Sequence, residues 1–290
     1  MRFADRGVPP LSYLGRVISS PPFWLESRAL VEAWRLRRHP VYRGEGLPRG
    51  RGQPLLLVPG FMAGDRSLAT LERFLLKLGY HAERAGLAFN VQTSEAVLTQ
   101  MTARLTSLHG WLGERVAIVG HSRGGLLGKV AAQRHPDLVA GVITLGSPLA
   151  DPYDVHPVTM AGVRAAQAYN WLRFGRRGQV ERDFLQDLAK PSAVPLVSIY
   201  SRSDGIVSWR ACLRPDATCV EVEGSHAGLA VNPAVYAFVA QALAGHRLLA
   251  RPAPGGSDGA GGGRRPGTPP RRPPASGGNG PGRAPGRGRR

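Results

Sequence analysis

Ser122, Asp204 and His226 are the residues whose types, order and surroundings in this sequence add up to chemistry. Ser122 stands in "VAIVGHSRGG", residues 117 to 126, at the centre of a Gly120-x-Ser122-x-Gly124 turn. A serine hydroxyl is a weak nucleophile near neutral pH. It needs a base to take its proton, and the base needs an acid that fixes its tautomer and stabilises its cation. In a chain with 38 glycines the turn alone says little. Its surroundings say more. Each of the three residues follows its own short apolar run: "RVAIVG" before Ser122, "PLVSIY" before Asp204 and "ATCVEVEG" before His226. If those runs are parallel strands, all three side chains stand at one edge of a sheet, beyond the carboxyl ends of its strands. The order serine, acid, histidine is the one expected of a serine nucleophile in that architecture.

The rival acids Asp137, Asp151 and Asp154 follow no strand in the expected late position. His121, beside the nucleophile, reads as packing or turn geometry rather than as a second base. Gly120, Gly124 and Gly125 keep Cβ atoms out of a crowded turn. Acyl chemistry also requires two N–H donors for an oxyanion. The backbone N–H of Arg123 is one, and that of Phe61, in the early loop "VPGFMAG", is the other.

The elements that must position these groups follow a rhythm of short apolar runs and longer amphipathic stretches from Leu55 onward, which predicts strands alternating with helices around a parallel sheet. Strands are expected at "PLLLVPG", near Tyr80 to Arg84, and at "RVAIVG", "VAGVITLGSP", "PLVSIYS" and "ATCVEVEG". Helices are expected at "SLATLERFLLKLG", about 94 to 108, "RGGLLGKVAAQRHP" and "NPAVYAFVAQALAGH". Residues 150 to 190 interrupt the rhythm with two helical stretches near 158 to 174 and 179 to 189. So long an excursion reads as a helical insertion rather than a bare loop. Upstream, residues 23 to 38 read as an amphipathic helix with Phe23, Leu30 and Trp34 on one side, suited to docking on the body or to lying on a membrane surface. Residues 43 to 54 read as a Gly/Arg/Pro linker.

The composition divides the chain into residues 1–53, a domain at 54–250 and a tail at 251–290. The tail has nine Arg, one Asp and 22 Gly or Pro among 40 residues, too little apolar surface to offset its ordering entropy, and is expected to be disordered. Its charge of +8 leaves about +10 of the formal +18 on the rest. Such a surface attracts anionic membranes or nucleic acid, although 35 Arg against 3 Lys also fits a coding bias. Two cysteines, Cys212 and Cys219, make no disulfide framework and are expected as free thiols. No apolar run reaches signal-peptide or membrane-spanning length, which points to a cytoplasmic protein, at most peripheral to a membrane. No His/Cys/Asp grouping has metal-ligand spacing, so neither metal nor other cofactor is expected.

With these pieces together, residues 54 to 245 resemble the α/β-hydrolase superfamily, and within it the serine esterases and lipases. The resemblance implies an α/β-hydrolase fold with a mostly parallel sheet, "GHSRGG" as nucleophile elbow, Asp204 as acid, His226 as base and Val58-Pro59-Gly60-Phe61 as oxyanion loop. Pro59 departs from the histidine usual at its position. The insertion falls where such enzymes carry a lid, whose Tyr169, Trp171, Leu172 and Phe174 would face a hydrophobic acyl-ester substrate. A thioesterase or acyltransferase could use the same triad. The rival of another class is a non-catalytic, anionic-surface or nucleic-acid-binding protein built on the same scaffold.

Overall fold

The computed structural model describes residues 23–174 and 178–245. The first 22 residues and the basic tail lie outside the described residues. Among the described residues six strands form one sheet: β1 (Pro54–Val58), β2 (His81–Arg84), β3 (Val116–His121), β4 (Val139–Leu145), β5 (Leu196–Tyr200) and β6 (Thr218–Glu221). Their order across the sheet is β2-β1-β3-β4-β5-β6, and every neighbouring pair is parallel. The register pairs Val58 with Gly120, His121 with Leu145, Leu145 with Ile199 and Tyr200 with Glu221, so the strand ends that carry the candidate residues line up along one edge.

Side chains alternate across a strand, and here both faces are covered. Leu55 and Leu57 join the core beneath Phe74, Val235 and Tyr236, while Leu56 and Val58 join the opposite core with Met101, Leu127 and Val130. Burial on both faces is why the central strands read as unbroken apolar runs.

The helices are α1 (Ala29–Arg38), α2 (Pro40–Arg43), α3 (Ala69–Lys77), α4 (Ser94–Leu112), α5 (Arg123–Arg134), α6 (Pro157–Phe174), α7 (Gly178–Ala189) and α8 (Pro233–Ala244). Thr93 caps α4, its hydroxyl accepting from Ala96 N–H, and Gly113 ends it in the left-handed conformation, four residues beyond the expected stop. The interruption between β4 and β5 is helical, as α6 and α7. Arg134 of α5 ties this insertion down, pairing with Glu95 of α4 and Asp187 of α7.

The amino-terminal helix differs from expectation in form and in facing. Residues Phe23–Arg28 form a 3-10 turn, and only then does α1 begin. Leu30 and Trp34 do not face the body; they are 81% and 54% exposed, and the Phe23 side chain lies outside the described residues. Leu36 is the side chain that enters the core, one helical turn from Glu32. The docking face is therefore set by Glu32 and Leu36, with Glu26 ahead of them, because donors on the body claim those carboxylates.

Candidate active site

The turn after β3 holds Ser122 at φ 53°, ψ −122°, as the residue that caps α5. A left-handed φ on a serine costs on the order of 1–3 kcal/mol and persists only where its surroundings enforce it. Its amide donates to Leu145 O at 2.8 Å, holding the turn against the end of β4. The neighbouring glycines leave no alternative packing: a Cβ on Gly120 would stand 2.5 Å from the Gly124 backbone, and one on Gly124 would stand 2.2 Å from Val58 O.

Asp204 and His226 lie on the loops that follow β5 and β6, and the structure brings them into contact. His226 Nδ1–H donates to Asp204 Oδ2 at 2.6 Å, and both residues are buried. The other carboxylate oxygen, Oδ1, accepts from the N–H groups of Ile206 and Val207, each at 2.8 Å. The bond from His226 fixes the neutral ring with its proton on Nδ1 and its lone pair on Nε2. Gly146 links this pair to the serine turn. It follows Leu145 and adopts φ 57°, and a Cβ there would be strained and would crowd Leu229 Cδ1 at 2.8 Å, Asp204 Oδ2 at 3.0 Å and His226 Nδ1 at 3.1 Å. Among the described residues the Ser122 hydroxyl makes no hydrogen bond.

The loop after β1 passes over the same spot. A Cβ on Gly60 would stand 3.1 Å from both Ser122 Cβ and His121 Nδ1, so Phe61 and Arg123 flank the serine. Met62, the other non-glycine residue with positive φ among those described, is in this loop.

A family model described as the alpha/beta hydrolase fold matches residues 112–174. The Bacillus licheniformis lipase BlEst2 in propeptide form superposes with a TM-score of 0.51 at 16% identity, covering 74% of this chain and 54% of that one. The chain has the α/β-hydrolase fold. The mature form of the same lipase (TM-score 0.49, 16% identity, 68% and 94% covered) and the Paleococcus ferrophilus monoacylglycerol lipase (0.46, 16%, 67% and 98%) are also similar. No curated protein sequence matches.

Within this α/β-hydrolase fold the electrostatics separate two histidines 4.7 Å apart. Burial, with the neighbouring His226 charge, lowers His121 to a pKa of about 4, and its Nε2–H donates to the His226 carbonyl at 2.9 Å. It is a neutral strut, as its sequence position suggested. For His226, burial favours the neutral ring, but the Asp204 charge, its hydrogen bond and the Glu26 charge outweigh that and raise the pKa above 6.5. Of the two, His226 is the ring whose surroundings favour the protonated form, and His121 the one held neutral.

A cavity of about 310 Å³ opens beside Ser122, lined by Phe61, Leu126, Val163, Ala166, Trp171 and Phe184 among others. Of the four insertion residues expected to line it, Trp171 does. Tyr169 and Leu172 do not: they are 64% and 76% exposed. The reason is helical phase. Residues 159, 163, 166, 167, 170 and 171 share one stripe of α6, while 169 and 172 fall on other faces. The Phe174 side chain lies outside the described residues.

The structure also gives the Arg123 side chain a place that its sequence context did not. Its guanidinium donates to Asn90 O, Asn90 Oδ1 and Gln92 O at 2.7–3.0 Å, and buried Asn90 in turn donates through Nδ2 to Pro59 O at 2.8 Å. Asn90 O also accepts from Met62 N–H. The loop around Phe61 is thereby laced to the residue after Ser122. Among the described residues no group of three His, Cys, Asp or Glu side chains is placed to hold a metal ion, and no helix is long and apolar enough to cross a membrane. Cys212 and Cys219 are both free, the first buried and the second exposed.

Proposed function

We propose that this protein is a serine hydrolase that cleaves carboxylic esters through an acyl-enzyme on Ser122. The observation that carries the reading is the 2.6 Å contact between Asp204 and His226, on strand ends that share an edge with a serine held at φ 53°. The Bacillus licheniformis neighbour is itself a lipase, and the apolar cavity beside Ser122 suits an acyl chain.

In this reading Ser122 Oγ attacks the ester carbonyl carbon as its proton passes to His226 Nε2. Substrate binding closes the serine-to-histidine link, as catalytic hydrogen bonds often tighten only in the complex. Asp204 holds the imidazolium through Nδ1–H. The carbonyl oxygen, now an oxyanion, accepts from the Phe61 and Arg123 N–H groups, with the amino end of α5 behind it. His226 then gives the proton to the ester oxygen as the C–O bond breaks, and the alcohol leaves. Water attacks the acyl-serine, loses a proton to His226, and the acid departs as Ser122 recovers its hydrogen. The insertion α6–α7 acts as the lid and wall of the acyl site.

The test is hydrolysis of p-nitrophenyl acetate and butyrate by the full chain and by Ser122→Ala. Loss of at least about 10³-fold in kcat is expected, together with loss of covalent labelling by a fluorophosphonate. Equal rates in the two proteins would remove the reading.

A further inference from the structure

The acid and histidine loops are held together by a residue 179 positions before its partner on the first and 200 before its nearer partner on the second. Glu26, in the 3-10 turn ahead of α1, accepts through Oε1 from Gly205 N–H at 3.1 Å and from His226 N–H at 3.0 Å. Through Oε2 it accepts from Ala227 N–H at 2.9 Å. Gly205 is the residue after the acid, and His226 is the base itself. One carboxylate therefore spans the two loops whose relative position decides whether the Asp204–His226 bond forms.

The neighbouring carboxylate completes the arrangement. Glu32 accepts from Ser225 N–H at 3.0 Å and from the Ser225 hydroxyl at 2.7 Å, and that same hydroxyl oxygen accepts from Gly228 N–H at 3.1 Å. A Cβ on Gly228 would fall 1.6 Å from Glu32 Oε2 and 2.6 Å from the Ser225 hydroxyl, so a side chain there would displace the Glu32 carboxylate from its partners. The 3-10 turn Ala227–Val231 has His226 at its cap position with no side-chain cap of its own. Its first N–H, that of Ala227, is met instead by Glu26 of the amino-terminal segment, and the next, that of Gly228, by the Ser225 hydroxyl that Glu32 holds.

We propose that Glu26 is a positioning residue for the Asp204–His226 pair, joining the acid and histidine loops through three backbone hydrogen bonds and holding a negative charge beside the imidazole. The role rests on His226 being the base, as proposed above. A carboxylate is suited to it in a way that a neutral amide is not. Three N–H donors converge on its two oxygens, and the side-chain amide of Glu26→Gln would turn its own NH2 toward one of them. The charged and titratable groups around His226 are Asp204 on the loop after β5, Glu26, Glu32 through Ser225, and His121 on β3. Of the carboxylates, Asp204 acts most strongly on the imidazole and Glu26 adds to it, both favouring the protonated ring that forms in each chemical step.

The experiment is titration of the His226 ring by NMR in the full chain, comparing wild type with Glu26→Gln and Glu26→Asp, and with Glu45→Gln as a remote control. In Glu26→Gln the His226 inflection is expected to move to lower pH and kcat for p-nitrophenyl butyrate to fall about tenfold or more, with KM within about twofold. Glu26→Asp keeps the charge but is one methylene short. It is expected to hold the inflection near that of wild type while losing part of kcat, and it stands in should the glutamine variant not fold. An unchanged His226 inflection in folded Glu26→Gln, or a kcat within twofold of wild type, would overturn the role. The ring titration needs no turnover, so it reads the influence of Glu26 on His226 separately from the outcome of Ser122→Ala, which tests the hydrolase reading itself.

Discussion

At the scale of single residues, the two histidines show how position rather than residue type assigns a proton. Both are buried, yet His121 is pushed down to about 4 while His226 is raised. The difference is the carboxylate that only His226 touches. Stability should respond to each in an opposite window. The His226 contribution is complete below pH 6.5 and fades as pH rises through its raised folded pKa. The His121 contribution is complete above 6.5 and is lost as pH falls toward about 4, because the unfolded chain takes up that proton first. A shift of that size corresponds to on the order of 3 kcal/mol. His121→Gln keeps an N–H donor for the His226 carbonyl but cannot titrate. Urea unfolding at pH 7 and pH 5 should show a smaller loss of stability between the two pH values in His121→Gln than in wild type. An identical loss in both proteins would mean that other groups carry the acid sensitivity.

Elements place these residues, and here the sequence was legible to different depths. Ser122, Asp204 and His226 could be singled out because each follows a strand that is either buried on both faces or sits in a clear alternation, and a parallel sheet sends all its carboxyl ends to one edge. Glu26 and Glu32 could not. Carboxylates on an Arg-rich amphipathic stretch look like a solvated face, and nothing local says that backbone donors some 200 residues away will claim them. The aromatic residues of α6 misled for a related reason. Tyr169 and Leu172 are the large apolar side chains, but the cavity is walled by the smaller stripe at Thr159, Val163, Ala166 and Gln167. If this stripe is the acyl wall, bulk added at Ala166 should discriminate by chain length. Ala166→Phe is expected to lower kcat/KM for p-nitrophenyl octanoate about tenfold, equivalent to roughly 1.4 kcal/mol and within the usual cost of overpacking. Acetate, whose acyl group needs only the space beside Ser122, should change by less than about twofold. Equal losses on both esters would place the acyl chain elsewhere.

For the whole molecule the governing quantity is charge. The formal net charge is +18, of which +8 belongs to residues 251–290, a segment with one acidic residue and no large apolar side chain. Among the described residues, the serine turn, the acid and histidine loops and the cavity are all built from residues 26 to 228. Catalysis and surface attraction should therefore come apart. A chain ending at residue 250 is expected to hydrolyse soluble p-nitrophenyl butyrate at the full-length rate. Its binding to vesicles containing anionic lipid should be weaker, and should fall less steeply with added salt, since fewer arginines remain to interact with the anionic headgroups. The residual charge of about +10 means that binding should be reduced rather than abolished. Neutral vesicles supply the control, because a purely apolar contact would hold both chains equally and ignore salt. Should the shortened chain lose its ester activity while remaining folded, the tail would have to reach the site, and the separation of surface charge from chemistry would be wrong.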